Sequence, residues 1–146
     1  MLIEQQMSRL IELARTSETP YTSMILDPDG IVIAMAPNRV KQEANPTSHA
    51  EINAIREASK RRNNPDLSGC HLISTCEPCP MCASAIFWSG ITKVSWGLSI
   101  DEISDMGHRQ LSLRMNEVLA DVEGKMEIEG GLLASEVKKL FKIGIR

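Results

Sequence analysis

The chain has 146 residues, 42% of them hydrophobic, and a formal charge of −3. That length and composition suit a single domain spanning 1–146 with a core of its own, and the acidic balance argues against a generally basic surface for phosphate backbones. No run reaches the roughly 18 uninterrupted apolar residues of a membrane span, and MLIEQQMSRLIELAR is amphipathic, without a signal peptide's apolar centre. A cytoplasmic protein with no membrane association is expected.

Ile3, Met7, Leu10, Ile11 and Ala14 recur at helical spacing, so the first fifteen residues read as an amphipathic helix. TSMIL and IVIAMA flank Asp27-Pro28-Asp29-Gly30 and predict a hairpin. A polar loop runs from about Pro37 to Ser48. A second helix is expected from about His49 to Arg62, with Ala50, Ala54, Ile55 and Ala58 inward, ending at Asn63-Asn64-Pro65. Its last turns carry Arg56, Lys60, Arg61 and Arg62, a run that suits a solvated helix C-terminus. HLIST reads as a buried strand, MCASAIFWS as a short apolar helix closed by Gly90, and TKVSWGL as another strand. Residues 101 to 122 are helical in pieces, KMEIE is a fifth strand and LLASEVKKLF a final helix. The order implies an α/β sandwich.

Cys70, Cys76, Cys79 and Cys82 lie too close together for a disulfide framework and point to a metal site in a reducing compartment. Two strings carry the chemistry: His49-Ala50-Glu51 and Pro78-Cys79-Pro80-Met81-Cys82. Cys79 and Cys82, three apart at a helix start, can aim both sulfurs at one point, where the helix N-terminus favours thiolates. That is half a tetrahedral zinc site; a neutral His49 adds a third ligand and leaves the fourth position open for a water whose pKa falls toward about 7. Other readings compete. A lone CxxC can be redox-active or half of a zinc finger, but no second CxxC or HxxxH pair completes a closed site, and His71 and His108 are isolated. Ser48 and Glu51 have the spacing of a capping box. Residues two apart on a helix also diverge, so His49 must sit where the first turn is not yet regular. Cys70 and Cys76 read as small buried apolar residues.

The pairing of an HxE string with a PCxxC string is the documented signature of zinc base deaminases. The stretch from Pro20 to about Leu98, with NPTSHAEINAIREA and TCEPCPMCASAIFWSGI, resembles the cytidine-deaminase-like superfamily, in particular the branch of bacterial guanine deaminases and tRNA adenosine deaminases. The resemblance implies a three-layer α/β/α sandwich around a five-stranded mixed sheet, assembled as a homodimer or larger homo-oligomer. It also implies one Zn2+ per chain on His49, Cys79 and Cys82, with Glu51 as proton shuttle and Asn38 as a substrate contact. Glu77, usually present in the resembling enzymes, either takes a direct part in the chemistry or braces the turn carrying the cysteines.

Ring recognition calls for aromatic or apolar walls and a few polar groups, for which Phe87 and Trp88 join Asn38 as candidates; their alternative is core or interface packing. Thr22-Ser23 stands where the family usually has Gly-Ala, narrowing the pocket or adding a hydroxyl contact. His108-Arg109-Gln110 stands where guanine deaminases carry acidic residues. The expected substrate is therefore a free nucleobase, nucleoside or similar aminated heterocycle. The alternatives are the adenosine of a tRNA, a cytosine-type pyrimidine, or no substrate at all in a zinc-stabilised binding or assembly module.

Overall fold

The computed structural model describes residues 2–122 and 124–142, so Met1, Glu123 and residues 143–146 of the expected domain lie outside it. Helix α1, Ile3–Ser17, buries Met7, Leu10, Ile11 and Ala14, the apolar stripe of the sequence pattern. Strands β1, Thr22–Leu26, and β2, Val32–Pro37, pair antiparallel. Their turn is fixed by the Asp27 carboxylate, which accepts from the Asp29 and Ile31 N–H groups at 2.9 Å.

The polar loop that follows contains one short helix, α2, Val40–Glu43, which has no buried residue and so left no apolar periodicity to read. Helix α3 runs Ala50–Arg62, β3 His71–Cys76, α4 Pro80–Ser89 and β4 Lys93–Leu98. Gly90 closes α4 with a φ of 84°, the left-handed conformation that glycine adopts without strain. The segment that is helical in pieces holds α5, Ile100–Asp105, α6, Met115–Val118, and a 3-10 turn at Ala120–Val122. The fifth strand, β5, is shorter than KMEIE at Glu127–Glu129, and α7 spans Ala134–Lys142.

The strands form one mixed sheet in the order β2-β1-β3-β4-β5. β1 is antiparallel to β2 and β3, while β3, β4 and β5 are mutually parallel. Alternation along β1 and β3 sends Ile25 and Leu72 into a core roofed by α3, α4 and α6, and Met24 and Ile73 into a second core roofed by α1 and α7. Each such fully buried side chain contributes roughly 1.5–3 kcal/mol. The expected three-layer sandwich around five strands is what the chain forms. β4 has no side chain at Gly97, where a Cβ would stand 2.7 Å from Thr75 O and from Val137 Cγ2, so α7 lies close against the sheet. Because β1 opposes β3, its first residues meet the last residues of β3 and the N-termini of α3 and α4 at one end of the strands.

Candidate active site

His49 and Cys79 both occupy the extended residue before a helix, His49 at φ −70°, ψ 156° ahead of α3 and Cys79 at φ −67°, ψ 170° ahead of α4. Such positions usually go to Ser, Thr, Asp or Asn, which cap free N–H groups. Neither side chain here makes a cap bond, so both are available to a shared centre. This removes the angular conflict between His49 and Glu51, because only Glu51 lies inside the regular helix. Pro80, with its φ fixed by the ring, opens α4, and Cys82 follows on the buried side of the first turn.

His49 Nδ1 lies 3.6 Å from Cys79 Sγ and 3.6 Å from Cys82 Sγ, and the three donor atoms all fall within 4.8 Å of one another. A tetrahedral zinc with bonds of about 2.3 Å to sulfur and 2.0–2.1 Å to nitrogen separates such donors by about 3.6 Å, so the set fits the ion. Two equal N···S separations also suit a common centre better than a hydrogen bond, which one N–H directs at one acceptor. The hydrogen bond from Cys82 draws the Cys79 thiol down to about 4, with His49 adding to the effect, while the same bond and burial raise Cys82. Binding a metal ion through both sulfurs would need both as thiolates and so release a proton.

Glu51 is buried beside this cluster. Burial, and next the charge of Cys79, push its carboxyl up to about 7, within reach of a group that must both take and return a proton near neutrality. Ser23 Oγ donates to Glu51 Oε1 at 3.4 Å. A cleft of about 1280 Å³ opens above, with His49, Glu51 and Cys79 at its floor and Tyr21, Asn38, Arg109 and Gln110 among its walls. Asn38 is held by its N–H on Tyr21 O at 3.0 Å. Asn53 secures the same loop, its Nδ2 donating to Pro37 O at 3.0 Å and Ser48 O at 3.2 Å. The Ser48 hydroxyl donates to Glu43 Oε1 at 2.7 Å, with Asn53 Oδ1 at 3.1 Å as its other neighbour, and α3 has no side-chain cap, so Glu51 takes part in no capping box.

Phe87 and Trp88 are not brought to the cleft of their own chain. Cys82, Ala83 and Ile86 take the inner side of α4, and the two aromatics project outward, 42% and 81% exposed, with ring centroids 5.3 Å apart. Thr22 also turns away, its hydroxyl donating to Leu10 O at 2.8 Å beneath α1, so the added hydroxyl contact of this pair comes from Ser23.

Glu77 is saturated with partners. Its Oε1 accepts from Arg114 Nε at 2.7 Å and Ile100 N at 3.0 Å, and its Oε2 from Met115 N at 2.8 Å. The arrangement is that of a brace: it ties the start of α5 and the start of α6 to the turn bearing Cys79, and Arg114 goes on to Asp101 at 3.1 Å. Sequence reasoning missed Tyr21, Asn53 and Arg114. It had a signal for Ser23 and Ser74, whose Oγ atoms lie 2.8 Å apart across β1 and β3, in the hydroxyls placed within otherwise apolar strands.

The family model for the cytidine and deoxycytidylate deaminase zinc-binding region matches residues 2–98. The chain belongs to this family. The family's model is that of a zinc-binding region, and among the described residues His49, Cys79 and Cys82 form a group that could hold a metal ion. This member is 38% identical to the guanine deaminase of Bacillus subtilis over 88 residues, 60% of this chain and 56% of that one. It is 30% identical to a tRNA(Ile)-lysidine synthase of Deinococcus radiodurans over 132 residues, 90% of this chain but 22% of that one. The chain thus spans about half, or less, of the length of these relatives. Among solved structures, the guanine deaminase of Nitrosomonas europaea superposes with a TM-score of 0.87 at 25% identity, covering 97% of this chain and 84% of that one.

Proposed function

We propose that this chain is a zinc-dependent hydrolytic deaminase that releases ammonia from the exocyclic amino group of a free nucleobase, nucleoside or similar aminated heterocycle, in the manner of a guanine deaminase. The observation that carries the reading is Glu51: a buried carboxyl at the floor of an open cleft, beside the His49–Cys79–Cys82 group yet outside it. Zinc bound there supplies a Lewis acid that makes a water nucleophilic near neutral pH. Glu51 takes one proton of the attacking water and delivers it to a ring nitrogen, then takes the second from the hydroxyl newly bonded to the ring carbon and gives it to the amino nitrogen, so that the carbonyl forms as ammonia leaves. Asn38 and Tyr21, on the cleft walls, orient the ring. Saturation of Glu77 by three donors leaves Glu51 as the carboxyl free to exchange a proton with substrate.

The same reading makes the protein a one-domain cytoplasmic homo-oligomer. Its four cysteines are all free, and the exposed Phe87–Trp88 pair is apolar surface that a second copy covers. The deciding experiment is ammonia release from guanine, guanosine, adenine, adenosine, cytosine, cytidine and aminated triazines, beside a tRNA with adenosine at its wobble position, each at two salt concentrations. Turnover of a small amine with little salt dependence supports the reading. Turnover of the tRNA alone, falling steeply between about 50 and 200 mM salt as phosphate contacts are screened, rejects it.

A further inference from the structure

Behind Glu51, away from the cleft, the sheet places two more hydroxyls in line. Ser23 of β1 and Ser74 of β3 face each other directly in the antiparallel register, with Oγ atoms 2.8 Å apart. Both are buried, at 0% and 2% exposure, and Ser74 Oγ also reaches Thr22 O at 3.4 Å. Neither serine lines the cleft, so neither touches substrate.

We propose that Ser23 and Ser74 are positioning residues: a two-hydroxyl chain in which Ser74 sets Ser23 and Ser23 holds the Glu51 carboxyl in one orientation. This rests on the reading of Glu51 as the shuttle. A hydroxyl has one hydrogen to give and two lone pairs to receive with. Ser74 donates to Ser23 and Ser23 donates to Glu51 Oε1, so each buried hydroxyl hydrogen has an acceptor, as buried polar groups require. Oε1 is thereby held from behind and the second carboxyl oxygen is left to the cleft. No covalent O–H bond breaks along the chain.

The test uses the zinc-loaded full chain, with the carboxyl band of Glu51 isolated as the infrared difference between wild type and Glu51→Gln. Removing one oxygen in Ser23→Ala should move that band, Ser74→Ala should move it through Ser23, and the double variant should move it no further than Ser23→Ala alone. Zinc content should be unchanged. In kinetics on whichever of guanine, adenosine, cytosine or cytidine the wild type deaminates, Ser23→Ala should lower kcat about tenfold with KM unchanged, the equivalent of one hydrogen bond to a charged group. An unmoved band in Ser23→Ala, or additive effects of the two serines, overturns the proposal. Retention of full activity by Glu51→Gln overturns instead the reading beneath it, and the infrared result separates the two failures.

Discussion

Glu51 and Glu77 are two buried carboxyls in opposite circumstances. Glu77 meets three N–H donors, one of them on a guanidinium, whereas Glu51 meets one long hydroxyl contact and a cleft. Glu51→Gln keeps size and shape but cannot exchange protons, so kcat should fall by about 10²-fold or more with zinc retained; loss of metal by this variant would instead make Glu51 a ligand. Glu77→Gln should behave in the reverse way. It sets an amide NH2 against backbone donors and leaves Arg114 without its buried counter-charge, which should cost about 2–4 kcal/mol in urea unfolding, while the folded fraction still binds zinc. The sequence could name both glutamates but not separate them, because the partners of Glu77 lie 23, 37 and 38 positions away and carry no local pattern.

The helices and strands contribute by where they end. α3 and α4 each give the residue before the helix to a side chain of the proposed metal group, His49 and Cys79, neither of which makes a cap bond. Cys79→Ser or Cys82→Ser should therefore abolish the expected zinc of about one ion per chain and lower Tm together, because ligation contributes to folding; atomic absorption and a thermal melt read both, and full zinc in a Cys79→Ala, Cys82→Ala double variant rules out the site. At the far end of β3, His71 pairs through Nε2 with Ser95 Oγ at 2.8 Å. Burial, then Lys93, pull it from 6.5 down to about 4. The fold favours the neutral ring, so its contribution is fully present above pH 6.5 and disappears as pH falls through 4. His71→Gln should accordingly move the acid-unfolding midpoint to lower pH, followed by circular dichroism. Most elements were legible in the sequence because period-2 and helical apolar patterns are local. α2 and the limits of β5 were not: one buries nothing, and the other is an edge strand of three residues with only Ile128 facing inward, too short to show alternation.

At the level of the molecule, the HxE and PCxxC strings were readable because they are contiguous, and Asn38 and Arg109 through the resemblance, while Tyr21 was not, since these wall residues meet only after the ends of β1 and β2 and the segment following α5 come together. Phe87 and Trp88 show the same limit from the other side: an apolar pair beside the ligand helix reads as a ring-binding wall until the helix phase turns it outward. The brace at Glu77 then has an engineering meaning. It grips the chain at Ile100 and again at Met115, and α5 buries Ile103 in the core, so the stretch after α5, with Arg109, Gln110 and Leu111 of the cleft wall, is an insert between two rivets set in the same turn that carries Cys79. Such an insert is a cassette. Residues 107–113 can be exchanged for a segment of other chemistry without disturbing the anchor points, and a library built there should alter which amines are released while metal content stays constant.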